Sequence, residues 1–273
     1  MSESTGLKPG RPSSRGLFRS PFADIVQFLL LLLIIGFLFS RGEANLGYNW
    51  QWYKIPPLIL ESVGDGLQAG PLLLGLGVTL KISAISLVFA FLIGLVTALL
   101  RLSDLGMGTF IARGYLETVR NTPLLIQIFF IYFVLGPVLG IDRFPAAILA
   151  LSLFEGAYAS EILRSGILSV DRGQIEAAAS LGLSRYYIFR LIVLPQAIRT
   201  TLPPLTSQAI SLVKDSALVS TIAIYDLTMQ AQALISETFL TFEIWFTVAI
   251  LYLVITVTLS FFVAYLEKRL KPY

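Results

Sequence analysis

EAAASLGLSRYYIFRLIVLP, residues 176–195, is the stretch from which the arrangement of the rest of the chain can be read. It lies between two long apolar segments and is too polar to cross a bilayer, yet it carries local signals of order throughout. Asp171 or Gly173 is placed to start a helix through Glu176, Ala177, Ala178 and Ala179, a run of strong helix formers. Gly182 is placed to end that helix in the left-handed conformation. Ser184 is placed to cap a second short helix over YYIFRLIVL, and Pro195 suits the first turn of the next span, where its missing N–H costs nothing. An ordered, basic segment of this kind reads in two ways. It is either an amphipathic helix lying on the inner leaflet or a docking surface for a soluble partner.

Outward from this loop the chain is apolar. Hydrophobic residues make up 56% of 273 and the mean hydropathy is +0.79, well above a soluble domain. Measured against the ~20 apolar residues a helix needs to cross the hydrocarbon, six spans are expected, near 22–40, 71–100, 114–138, 144–166, 200–224 and 240–266. Helices are the expected element because a backbone in lipid must satisfy its own hydrogen bonds. The predicted fold is an all-α integral membrane protein of about six transmembrane helices.

Lys and Arg set its orientation. One side collects Lys8, Arg11, Arg15 and Arg19; Arg101 and Arg113; Arg164, Arg172, Arg185, Arg190 and Arg199; and Lys268, Arg269 and Lys271. The other side has Arg41, Lys54 and Arg143. Both termini and the 164–199 segment are therefore expected in the cytoplasm. Residues 1–21, rich in Ser, Pro and Gly, read as a disordered tail. Residues 41–70 read as an external loop, with Trp50, Trp52 and Tyr53 as interfacial anchors. The first span, 22–40, has the basic tail and LLLLLII core of a signal peptide. Its length and the weak cleavage pattern in SRGEAN favour a retained span.

With no Cys and no His, the chain has no disulfide, no thiol chemistry, no His-based metal site and no Ser-His-Asp triad. No metal site is expected. Charge inside a membrane is costly and normally faces protein or water. Lys81, Arg120, Glu155, Glu161, Lys214 and Asp215 are such groups. Glu161 and Arg164, three apart, are placed to pair. Lys214 and Asp215, being adjacent, point apart and each need another partner. Glu155 and Glu161 lie about 240° apart around a helix. One reading makes these groups a path for a zwitterion, with Glu155 and Glu161 on the ammonium and Lys214 or Arg120 on the carboxylate. The other makes them ion pairs that only hold the bundle together. Arg120-Asn121-Thr122-Pro123 breaks a span, which suits a helix lining a cavity.

The spacing of the opening stretch adds a further reading. Glu-Ala-Ala, Gly six residues after the Glu, Ile192 and Leu194-Pro195 resemble the EAA loop of binding-protein-dependent ABC importer permeases. Segments 75–103, 115–133, 155–178, 194–205 and 210–227 are similar to the polar-amino-acid branch of that family, so the resemblance spans about 70–270. Ser216-Ala217 departs from the branch, which often has Thr-Ser after Lys-Asp. The resemblance implies a five-span core in 71–273, with the coupling loop at 171–195 and the 22–40 span as an addition. It implies that Glu176, Ala177, Ala178 and Gly182 are the contact and turn residues of a coupling helix seated on a cytoplasmic ATP-binding subunit. An extracytoplasmic amino-acid-binding protein and a second permease subunit, identical or homologous, are the other implied partners, along with membrane lipid and no nucleic acid.

The chain contains no G-x-x-x-x-G-K-[ST], so it has no P-loop of its own. ATP and Mg are expected on the partner, and no cofactor in this chain. The expected function is the permease of an ATP-driven importer of polar amino acids in a bacterial inner membrane, with no covalent catalysis. The alternative is a stand-alone ion-coupled carrier or channel, which would also use intramembrane carboxylates and broken helices.

Overall fold

The computed structural model describes residues 25–31, 33–34, 37, 48–63, 66–103 and 105–270. The expected tail, 1–21, lies outside the described residues. The chain divides into two compact units, Met1–Trp50 and Gln51–Tyr273. In the first, residues 25–31, 33–34 and 37 are helical and present exposed apolar side chains, Phe28 and Leu33 among them. The helical residues fall inside the predicted 22–40 span.

The second unit opens with α1 (Ile55–Ile59), started by Pro56 and Pro57 in its first turn. Strands β1 (Leu60–Val63) and β2 (Gly66–Ala69) then pair antiparallel, with Leu60 opposite Ala69 and Val63 opposite Gly66. This hairpin corrects the all-helical expectation. Its sequence signal is the Gly-Asp-Gly run after Val63, a tight-turn composition.

Helix α2 (Pro71–Leu102) is the longest element. Its buried positions include Leu72, Gly75, Thr79, Ile82, Ser86, Ala90, Gly94 and Ala98, spaced three or four residues apart, with Ser83 and Thr97 beside them, and most are small. Small side chains let helices approach closely in a membrane. The partner is α6 (Arg143–Leu168): a Cβ on Gly94 would meet Ala159 Cβ at 2.8 Å, and Ser152 Oγ donates to the Ser86 carbonyl at 3.3 Å.

Between them run α3 (Gly106–Arg120) and α4 (Leu124–Phe129), which continues through a π-helical segment, Phe130–Leu135, into α5 (Gly136–Leu139). The expected single span at 114–138 is thus a pair bent by 109°. Pro123 explains it: proline disfavours helix at the residue before it and cannot donate to the preceding turn.

After α6 come α7 (Arg172–Ser180), α8 (Arg185–Ile188), a second π-helical segment (Phe189–Val193) and α9 (Leu194–Asp215). A 3-10 turn, Ser216–Ile222, leads to a break and α10 (Leu227–Thr238), then α11 (Thr241–Leu270). The expected separate helix over 186–194 is instead continuous with the span that follows. Both π segments end two residues before a proline, Pro137 and Pro195. A widened turn makes room for a ring that would otherwise strike the carbonyl four residues back. The expected span at 200–224 therefore begins at Arg185, runs through Pro203 and Pro204, and bends by 49° before α10. Among the described residues, α2, α6 and α11 are long and apolar enough to cross a membrane alone, and the two bent pairs bring the number to as many as five.

The main core joins α2, α4, α6 and the 3-10 turn through Ile82, Ile128, Ala147, Leu151 and Val219. A second core gathers Leu72, Leu227, Ala231, Leu240 and Ile244 around α10.

Candidate coupling surface and intramembrane polar groups

The loop at 171–195 folds into a helical hairpin with its own small core of Val170, Ala178, Ile188 and Val193. Asp171 is the N-cap of α7, its carboxylate accepting from Gly173 N at 2.7 Å, which satisfies one of the free N–H groups of the first turn. Gly182 has φ +81°. Gly182 N donates to Ala179 O at 2.9 Å and Leu183 N to Ala178 O at 3.2 Å. This double closure of a helix end needs a left-handed residue after the cap. Ser184 occupies the N-cap position of α8, but its side chain makes no capping hydrogen bond; the turn closes instead through Ile188 N to Ser184 O at 3.0 Å. Gln196 Nε2 donates to Gln174 Oε1 at 2.6 Å and ties the hairpin to α9.

Of the four expected coupling residues, Glu176, Ala177 and Gly182 are exposed, while Ala178 is buried at 3%. Ala178 packs within the hairpin. Beside Glu176 lies an apolar surface: Tyr186 and Tyr187, whose apolar grip the sequence indicates, are exposed, as are Leu181, at 83%, and Leu191, which sequence reasoning missed. A helix that closes at Gly182 leaves Leu181 and the tyrosines on the outer side of the turn.

The intramembrane charges form two separate groups, in keeping with the angle between Glu155 and Glu161. Glu155 on α6 is 2% exposed, and its Oε2 accepts from Gln208 Nε2 of α9 at 2.5 Å. Its Oε1 has no hydrogen-bond partner among the described residues. The Asp215 carboxyl, at the end of α9, faces Glu155. Two carboxyl groups and a carboxamide thus meet between α6 and α9. Beside them a cavity of about 400 Å³ is bounded by Leu87, Phe91, Glu155, Leu202, Thr206 and Gln208. Pro203 and Pro204 lie within the α9 wall, and Thr206 Oγ1 donates to Pro203 O at 2.8 Å. Gln208 was missed as a partner; its signal is a carboxamide in a proline-interrupted span. Lys214 is exposed and makes no ion pair among the described residues, but its ammonium acts electrostatically on the adjacent Asp215 carboxyl.

Glu161 sits in the second group. Arg101, at the end of α2, donates to Glu161 Oε1. Arg120 Nη1 stands 3.7 Å from the same oxygen, and Arg164 Nε 3.9 Å from Oε2. The expected Glu161–Arg164 pair is therefore the longest of three contacts, and Arg101, counted from sequence only as a loop charge, is the direct partner. Three guanidinium groups around one carboxylate leave a net positive charge that repels an incoming ammonium, so Glu161 is a poor ammonium ligand. Lys81 lies 5.5 Å from the Phe144 ring centroid, a cation–π contact.

A third polar cluster was not read from sequence at all, because the span was ended at residue 224. Asp226, fully buried, caps α10 by accepting from Met229 N at 2.9 Å. Thr79 Oγ1 accepts from Leu227 N at 3.1 Å, and the hydroxyls of Thr228 and Tyr252 are 3.2 Å apart. Just before this cap, Ala223 takes φ +56°, and Arg143 Nη1 donates to its carbonyl at 2.9 Å. The break between the 3-10 turn and α10 is thus capped from both sides.

Residues 90–272 match a family described as "Binding-protein-dependent transport system inner membrane component". The chain is 40% identical over 205 residues to the glutamine transport system permease protein GlnP of Escherichia coli (strain K12), covering 74% of this chain and 94% of that relative. It is 40% identical over 194 residues to the probable glutamine ABC transporter permease protein GlnM of Bacillus subtilis (strain 168), covering 71% and 90%. Among solved structures, it superposes on a chain of an amino acid ABC transporter with histidines. There the TM-score is 0.69 at 38% identity, over 73% of this chain and 94% of the other.

Proposed function

The chain belongs to the binding-protein-dependent transport system inner membrane components, and from that membership we infer that it is the permease subunit of an ATP-driven importer of polar amino acids. Relatives named for glutamine transport and a structural neighbour named as an amino acid ABC transporter favour this reading over a stand-alone carrier or channel. The role is transport through a membrane, with ATP and Mg held by a separate cytoplasmic subunit.

The observation that carries the mechanism is the hairpin 171–195. It is small, has its own core, is bonded to α9, and presents Glu176, Ala177, Leu181 and Gly182 to solvent. A rigid body rooted on a bent, membrane-crossing helix passes displacement from a docked ATPase into that helix. In this scheme the hairpin and both termini are cytoplasmic and 41–70 is external, where a binding protein delivers the solute. Residues 22–40 form an added span, and 71–273 supply the five-span core in a bacterial inner membrane. A second permease subunit completes the pathway. Glu155 and Asp215, with Gln208, take the ammonium end of the amino acid beside the cavity, and Lys214, whose charge acts on Asp215, answers the carboxylate.

The test is assembly. Co-expressed with its ATP-binding subunit, the wild-type chain is expected to retain it through purification, and Glu176→Lys to lose most of it. Equal retention by both proteins refutes the docking role of the hairpin.

A further inference from the structure

The charges around Glu161 do not balance. Arg101 donates to the Glu161 carboxylate directly and neutralises it. Arg120 and Arg164 remain, each within 4 Å of the same carboxylate but too far to share a hydrogen bond with it, at 3.7 and 3.9 Å. Arg164 Nε is buried and has no hydrogen-bond partner among the described residues. The Arg120 guanidinium lies 5.9 Å from the Tyr158 ring centroid, with its side chain 46% exposed. The nearest other carboxylate on α3, Glu117, is taken by the Asn121 amide at 3.0 Å. Two guanidinium groups thus flank one carboxylate that Arg101 has already neutralised.

That arrangement has a chemical complement. A guanidinium offers planar, forked donors that match the two oxygens of a carboxylate or phosphate. Two such cations held together at the edge of a membrane repel each other, and only an anion relieves the repulsion without leaving donors unmet. Neutral polar solutes and ammonium groups do not. Glu161 lies seven residues before the end of α6, roughly 10 Å along the axis from its last turn. This is near the cytoplasmic end in the orientation proposed above.

We propose that Arg120 and Arg164, floored by the Arg101–Glu161 pair, form an oxyanion site where the C-terminal end of α3 meets the inner halves of α2 and α6. The oxyanion has two possible sources: the α-carboxylate of the amino acid on its way out of the pathway, or the phosphate of an anionic lipid in the inner leaflet. The first source rests on the proposed transport function, and the second does not.

The experiment uses the assembled transporter, as wild type and as Arg120→Gln, Arg164→Gln and Arg120→Lys. The lysine variant keeps the charge and reports on folding. Native mass spectrometry with added phosphatidylglycerol or phosphatidylcholine reads the lipid source. It predicts phosphatidylglycerol adducts at least about fivefold weaker in both glutamine variants, partly kept in Arg120→Lys, and phosphatidylcholine adducts unchanged. Thermal unfolding with glutamine or its α-carboxamide reads the small-molecule source. It predicts a rise in midpoint with glutamine only, lost in both glutamine variants. Either pattern supports the site. If both variants match wild type in both readouts, the proposal is overturned, as it is if phosphatidylcholine and the carboxamide bind as well as the anions. Absent uptake of amino acids by the wild type would instead sink the transport reading and leave the lipid arm standing.

Discussion

Replacing Gly182 separates backbone conformation from contact at the coupling hairpin. Its φ is +81°, and an added Cβ would meet nothing within 4 Å. The whole penalty therefore comes from forcing a side chain into left-handed space. For alanine this is about 1–2 kcal/mol. For valine, whose branched Cβ is worse there, it is nearer the roughly 3 kcal/mol upper end of strained-backbone costs. A loss of 1–2 kcal/mol changes a local equilibrium by a factor of about 5–30. The hairpin closure through Gly182 N and Leu183 N should therefore be populated far less in Gly182→Val, moderately less in Gly182→Ala, and nearly normally in Gly182→Asn, since asparagine tolerates this region. The assay is ATP hydrolysis by the assembled transporter with and without loaded binding protein, alongside amide hydrogen exchange over 171–195. Stimulation should fall in the order Gly, Asn, Ala, Val, with exchange rising in the same order. Wild-type stimulation in Gly182→Val, or an order that follows side-chain size with no change in exchange, refutes the reasoning.

Glu155→Gln keeps a carbonyl acceptor for Gln208 Nε2 and removes a charge that is 2% exposed. Loss of a charge-assisted contact of about 1.5–3 kcal/mol should weaken amino-acid affinity roughly ten- to a hundredfold in uptake titrations, and an unchanged KM contradicts a role in the pathway. Gly166→Ala puts a Cβ 2.1 Å from Thr201 Cγ2, so thermal stability should fall by an overpacking cost of about 1–3 kcal/mol. Thr201→Ser, which lacks that methyl, should restore it; failure to restore it points to a different clash. Single cysteines at the exposed positions Ser169 and Asn49 of this Cys-free chain should label from opposite sides of the membrane. Labelling of both by an impermeant reagent in intact cells refutes the proposed topology.

Much of this molecule was legible because the signals were local. Hydrophobic runs located α2, α6 and α11 to within a few residues. The turn at Gly182 and the cap at Asp171 followed from the conformational preferences of single residues. What was not legible depends on pairing across the bundle. No spacing in the sequence sets Arg101 against Glu161, sixty residues away, or Gln208 against Glu155. Those contacts come from the close packing of α2 and α9 on α6, which small residues permit. Pro123 was read as a break and Pro195 as the first turn of a new span, but the way the chain passes each proline was not. At Pro123 the chain turns by 109°, whereas at Pro137 and Pro195 it widens into π turns and continues. Neighbouring elements decide between those outcomes, so composition alone could not.

If this chain imports amino acids only when driven by a partner ATPase and supplied by a binding protein, both requirements should show in the accumulation of labelled glutamine in proteoliposomes that hold the assembled transporter, with ATP and Mg on the ATPase side and binding protein on the other. Accumulation against a gradient is predicted when all components are present, and is lost on omitting either ATP or the binding protein. Accumulation that persists without ATP and is abolished by collapsing an ion gradient would make the chain an ion-coupled carrier instead.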